Sequence, residues 1–156
     1  MAFQIHALCE SIFDDFFDLS DSDLARKSAI RMTADTKPGF PCRVSLAEAE
    51  IGETVLLVNH QHQPHASPYQ ASHAIFVRKN VRQAKPLPEE LPEVLTARLL
   101  SVRAFSNKHV MIDADVAQGV EVANTIRRMF ENPVIDYLHL HNAKQGCFAA
   151  RVSRTR

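Results

Sequence analysis

The sequence predicts an α+β fold: a single domain over residues 1–156 with a mostly antiparallel sheet, two or three helices and a C-terminal β-hairpin. Three observations lead there. Short runs alternate apolar and polar residues, the period of a half-buried strand. Clusters of Gly, Pro, Asn and Ser punctuate those runs. Near the C terminus the runs 134–141 and 147–153 flank the polar loop Asn142-Ala143-Lys144-Gln145-Gly146, directly after a stretch with helical apolar spacing.

Phe3, Ile5 and Ala7 alternate with Gln4 and His6 and predict a first strand. Ser20 is expected to cap a short helix, because Asp21 and Asp23 place acids in its first turn. Ala29–Ala34 reads as a strand, followed by the rigid loop Lys37-Pro38-Gly39-Phe40-Pro41 and the segment Cys42–Leu46. After a turn at Ile51-Gly52-Glu53, Thr54–His60 is apolar on both faces and predicts an interior strand. Residues His60–His73 read as a polar loop, and His73–Arg78 as the next strand. Lys85–Pro92, with three prolines, is a surface connector. Leu95–Phe105 fits a helix or a strand; the short turn Ser106-Asn107-Lys108 favours a hairpin with His109–Asp113. Asp115 is then expected to cap a helix whose inner face is Val116, Val120, Ala123, Ile126 and Phe130, ended by Asn132-Pro133.

Composition narrows the function. The 18 Lys+Arg are balanced by 18 Asp+Glu, so no electrostatic excess exists to hold nucleic acid. No run of 18 uncharged apolar residues is present, which argues against a membrane span. Met1–Phe17 carries Asp14 and Asp15 without a basic region, so no secretory signal is expected and the cytoplasm is the predicted compartment. Cys9, Cys42 and Cys147 are odd in number and lack a CxxC spacing; they read as reduced thiols, excluding a thioredoxin-type dithiol and a four-cysteine zinc site. Residues 1–78 hold 6 basic and 10 acidic groups, against 12 and 8 in residues 79–156. That asymmetry suits packing of the two halves or an antiparallel homodimer.

The C-terminal hairpin carries the most chemistry. Strand alternation puts Val134, Leu138, Leu140, Phe148, Ala150 and Val152 on one face, with Asp136 the exception, and Tyr137, His139, His141, Cys147 and Arg151 on the other. With a symmetric loop, His141 would oppose Cys147 and His139 would oppose Ala149. A second His-x-His, His60 and His62, is followed by His65 and His73. In strand geometry each His-x-His turns both rings to one side, so His60, His62, His139 and His141 are candidate ligands for zinc or iron, with Cys147 available to complete the set. The alternative is solvated loop histidines and an ordinary solvent face. Cys42, fixed behind Pro-Gly-Phe-Pro, is a candidate nucleophile, against the alternative of a small buried hydrophobe. Arg43, Arg78 and Arg151 could clamp a carboxylate or phosphate. Asp113-Ala114-Asp115 places two carboxylates on one strand face.

The runs Pro38–Leu46, Gly52–Val58, Ser67-Pro68-Tyr69 with Ala74–Val77, and His139–Val152 together resemble the bacterial family called domain of unknown function 1203, over essentially the whole chain. The resemblance implies a small, soluble, single-domain bacterial protein and transfers no activity or cofactor. It rests on the Pro-Cys-Arg and Gly-Cys-aromatic-Ala-Ala-Arg pieces, which draws attention to Cys42, Arg43, Cys147 and Arg151.

Three functional classes follow. The leading expectation is a cytoplasmic protein binding a small anionic metabolite through Arg43, Tyr69, His60, His62, Arg151 and Asn142, with histidine as acid or base. The second is a metal- or thiol-dependent enzyme, with Cys42, His139 and Cys147 as catalytic candidates. The third is a non-catalytic interaction protein.

Overall fold

The structure, a computed structural model, describes residues 2–155. Its architecture is α+β, with two antiparallel sheets whose strands run β1 (Phe3–His6), β2 (Ala29–Thr33), β3 (Thr54–Gln63), β4 (Ala71–Arg78), β5 (Leu99–Phe105), β6 (Met111–Gln118), β7 (Tyr137–Asn142) and β8 (Phe148–Arg154). Helices α1 (Asp21–Arg26), α2 (Glu93–Thr96) and α3 (Val122–Phe130) are short. The larger sheet has the order β1-β8-β7-β5-β6 and the smaller β2-β3-β4. No helix among the described residues is long and apolar enough to cross a membrane.

Local chemistry accounts for most boundaries. The Ser20 hydroxyl accepts the Asp23 N–H at 3.2 Å and opens α1, as its sequence position implies. β7 and β8 form the expected hairpin, and β5 and β6 form the other. The inner face of the large sheet (Val102, Ala104, Leu138, Leu140, Ala150, Val152) packs against Val122, Ile126, Met129 and Phe130 of α3. A second cluster joins Leu56, Val58, Ile75 and Val77 of the small sheet to Phe13, Leu24, Cys42 and Val44.

Three expectations fail for identifiable reasons. Residues 60–73 are not all loop: β3 continues to Gln63 and β4 begins at Ala71, with His60 paired to His73. His62 and Gln63 extend the strand because their side chains meet the large sheet, Gln63 donating to the Tyr137 hydroxyl at 2.8 Å. Asp115 does not cap a helix. It lies within β6, which pairs with β5 as far as Gln118, and α3 starts only at Val122. Val116 and Val120, at 57% and 74% exposure, therefore belong to no inner face. Asp113 and Asp115 instead face α3, where Arg128 meets the Asp115 carboxylate at 2.7 Å. Lastly, the hairpin register is shifted. Gly146, at φ 76°, donates to the Asn142 carbonyl at 2.7 Å and tightens the loop. His141 then opposes Phe148 and His139 opposes Arg151, with a bulge at Ala149.

Candidate metal centre

β7 lies between β5 and β8, and the face it turns away from α3 is interior because the end of β3 covers it. That face carries Tyr137, His139 and His141, and the two histidines are 4% and 2% exposed. The bulge adds Phe148, which strict alternation would have sent to the other side. The end of β3 crosses this face and brings His62, whose ring centroid lies 5.9 Å from that of His139 and 4.9 Å from that of His141. One ligand nitrogen from each of the three rings lies within 4.8 Å of the others. Phe148 stacks on His62 at 5.2 Å and meets His139 edge-on, while Phe105 closes the His139 side at 5.2 Å.

Burial decides the charge state. It pushes the His62 imidazole down to about 4, helped by the neighbouring His60 and Arg103. His139 and His141 fall to about 3, again chiefly by burial. All three are therefore neutral at pH 7, the form that ligates a metal. His141 Nδ1 lies 2.9 Å from the Gly146 carbonyl, which can only accept. The proton accordingly sits on Nδ1 and leaves Nε2 with a free lone pair, the carbonyl orientation common behind metal-bound histidines. The Nδ1 atoms of His62 and His139 are buried with no hydrogen-bond partner. Orphaned buried nitrogens are costly, and a cation or water answers them.

The donor set suits zinc. Tetrahedral Zn–N bonds of 2.0–2.1 Å require nitrogens about 3.4 Å apart, so ring shifts of about an ångström close the cage. Three nitrogen ligands leave a position open for water or ligand. A groove of about 480 Å³ over Glu10, Asp14, Phe17, Lys79 and Arg82 shares no residue with the cluster.

Residues 39–154 match the model of the family described as protein of unknown function, DUF1203. The chain belongs to the DUF1203 family. No curated protein matches the chain, and no solved structure does. The DUF1203 segment spans β3 to β8 and so contains all three clustered histidines.

Within this DUF1203 chain the other predicted site residues scatter. His60 is not in the three-nitrogen set; its ring meets Phe13 edge-on at 5.6 Å. Cys147, a buried residue, also stays outside it: its sulfur accepts from Arg43 Nη2 at 3.0 Å and from Asn142 Nδ2 at 3.6 Å. Cys42 is fully buried and accepts the N–H groups of Ser45 and Arg78 at 3.3 Å, so an exposed nucleophile is not what the fold builds there. Arg43 is 3% exposed, with Nε on the Phe148 carbonyl at 2.7 Å and Nη1 on the Pro41 carbonyl at 2.5 Å. Its donors are committed within the protein, and Arg78 is paired with Glu53 at 2.7 Å. The expected clamp of Arg43, Arg78 and Arg151 therefore does not form. Arg151 is exposed, 5.0 Å from the Tyr137 ring centroid, and Tyr69 stands at the rim against Phe105. Asn142 is 4% exposed, and its Oδ1 lacks a partner.

Sequence reasoning passed over Arg103, Phe105 and Gln63. Arg103 enters through the β5–β7 pairing, which joins residues 36 positions apart, and no local pattern reveals it. Gln63 was hidden by the polar composition of its segment; its position one residue past His62 was the available signal.

Proposed function

We propose that this DUF1203 protein binds a single zinc-class ion through His62, His139 and His141 and uses it as a Lewis acid in the cytoplasm. The observation that carries this reading is the convergence of three neutral imidazoles from two sheets within 4.8 Å. Because β3 and β7 belong to different sheets, the site joins them, which supports reading the chain as one domain. Zinc is favoured over the two-histidine, one-carboxylate type of iron site because no acid belongs to the set. The ion would polarise a bound oxygen or lower the pKa of bound water. The protein's own part is to hold the imidazoles neutral, to fix the His141 tautomer through Gly146, and to wall the site with Phe105 and Phe148.

Elemental analysis and zinc or cobalt titration of tag-free protein test this. Close to one equivalent is expected, with a d–d spectrum for cobalt, and H62Q and H141A should each lower affinity roughly 100-fold or more. Less than about a tenth of an equivalent after zinc loading, or unchanged affinity in both variants, would overturn the assignment.

A further inference from the structure

β6 ends the large sheet, and no strand pairs with its outer side among the described residues. The opposite edge, β1, is covered by the connector: the Glu89 N–H donates to the Phe3 carbonyl at 2.9 Å and Gln83 Nε2 to the Ala7 carbonyl at 2.9 Å. β6 has no such cover, and its eight residues present about 27 Å of strand. Ile112, Ala114 and Val116 on it are all exposed, and Ile and Val favour strand pairing. A long apolar edge with open backbone groups is a template for pairing with another chain.

The ladder fixes which backbone groups face outward. The Gly119 N–H donates to the Arg98 carbonyl at 2.7 Å, just beyond the Leu99–Gln118 pair, as happens beside a non-hydrogen-bonded pair in an antiparallel ladder. Alternation makes Leu100–Ala117, Val102–Asp115 and Ala104–Asp113 the hydrogen-bonded pairs and turns the N–H groups of Ala114 and Val116 away from β5. Both donors are already taken. Asp113 Oδ1 accepts the Ala114 N–H and Asp115 Oδ1 accepts the Val116 N–H, each at 2.8 Å. The other two carboxylate oxygens turn to one guanidinium on α3: Arg128 Nη2 lies 2.7 Å from Asp115 Oδ2, and Nη1 lies 4.0 Å from Asp113 Oδ2. The donors an added strand would need are thus occupied by side chains that α3 holds in place.

We infer that Asp113, Asp115 and Arg128 form a guard that keeps the β6 edge from pairing with the β6 edge of a second copy of the chain. The excluded partner is a second copy because the apolar stripe matches itself: antiparallel pairing about Ala114 would bring Val116 of one chain opposite Ile112 of the other. The same register sets Asp113 against Asp115 of the second copy, and pairing about Asp115 sets the two Asp115 carboxylates against each other. Like charges directly opposite destabilise a strand pair, so the acids both occupy the donors and repel the partner. The register shift that leaves Ile112 without a partner on β5 breaks the regular edge further. This gives a role to the Asp113-Ala114-Asp115 motif, which neither a helix cap nor the metal centre uses, and it does not depend on the metal reading.

The test is analytical sedimentation of the tag-free chain from micromolar to near-millimolar concentration, with thermal melts to confirm that each variant is folded. The wild type is expected to stay monomeric. D113T/D115T removes both carboxylates while keeping residues suited to a strand, and it should self-associate at least about tenfold more tightly. Adding V116K to that variant charges the exposed stripe and should return it to the monomer. D14N/D15N removes two negative charges from the turn Asp14–Asp18, outside the large sheet, and should stay monomeric. If D113T/D115T does not fold, D115T is read in its place with the same expectations. A folded variant that stays monomeric throughout overturns the guard. Self-association of the wild type that V116K abolishes also overturns it, because the edge is then open. Association that V116K leaves intact, or that D14N/D15N shares, does the same, since β6 pairing is then not its cause.

Discussion

Lowering the pH from 7.5 to 5.0 should strongly destabilise the metal-free protein, because two imidazoles are folded away in neutral form. His139 and His141 sit at about 3 in the folded chain and return to about 6.5 when it unfolds. Protons therefore bind preferentially to the unfolded state. The stability that these rings contribute is complete above 6.5 and is lost as the pH falls toward 3. At pH 5.0, roughly 1.5 units below the unfolded value, each ring accounts for about 2 kcal/mol at about 1.36 kcal/mol per unit. The two together remove about 4 kcal/mol, a large part of the roughly 5–15 kcal/mol of an ordinary domain. At about 2–4 °C per kcal/mol for a chain of this length, Tm should fall by about 8–16 °C. His62 adds less, since it is more open to solvent. The carboxylates held low by their partners, such as Glu53 beside Arg78, lose their contribution only below about 4.5, outside this window. The assay is thermal unfolding in chelator-treated buffer, with the imidazole resonances followed by NMR. A Tm change under about 2 °C, or either ring titrating near 6.5 in the folded protein, would refute the reasoning.

Two further outcomes test the packing. Cys9 is partly exposed whereas Cys42 and Cys147 are buried, so an alkylating agent should modify one thiol quickly in native protein and three in denaturant. Rapid native labelling of Cys42 or Cys147, read by mass spectrometry, would contradict the burial assigned to them. Gly119 donates to the Arg98 carbonyl at 2.7 Å, and a Cβ there would collide with the carbonyl oxygens of Leu95 and Thr96, the latter at 2.5 Å. Gly119→Ala should destabilise by about 3 kcal/mol, measured by urea unfolding, because backbone must move to admit the methyl group. A loss under about 0.5 kcal/mol would show that α2 yields freely.

Local patterns determined much of this protein. Alternation at Phe3–Ala7 and Ala29–Ala34, the Ser20 cap and the brief turn 106–108 are matters of side-chain period and backbone hydrogen bonding within a few residues, and each is present in the fold; the last hairpin forms too, but from Tyr137 rather than residue 134 and with its alternation broken by the bulge at Ala149. The histidine face of the last hairpin was equally legible, because strand alternation alone puts His139 and His141 on one side. Tertiary structure decided which partners that face received. The end of β3, laid across β7, converted an apparent solvent face into an interior one, and that burial drove its imidazoles neutral. The Ala149 bulge exchanged Cys147 for Phe148 beside the histidines, and Cys147 went to Arg43 instead. Pairing of β5 with β7 placed Arg103 beside His139, and the crossing of β3 selected His62 over His60. Apart from the bulge, these choices depend on contacts between residues 36 to 104 positions apart, whose geometry is set by tertiary packing and leaves no trace in local periodicity.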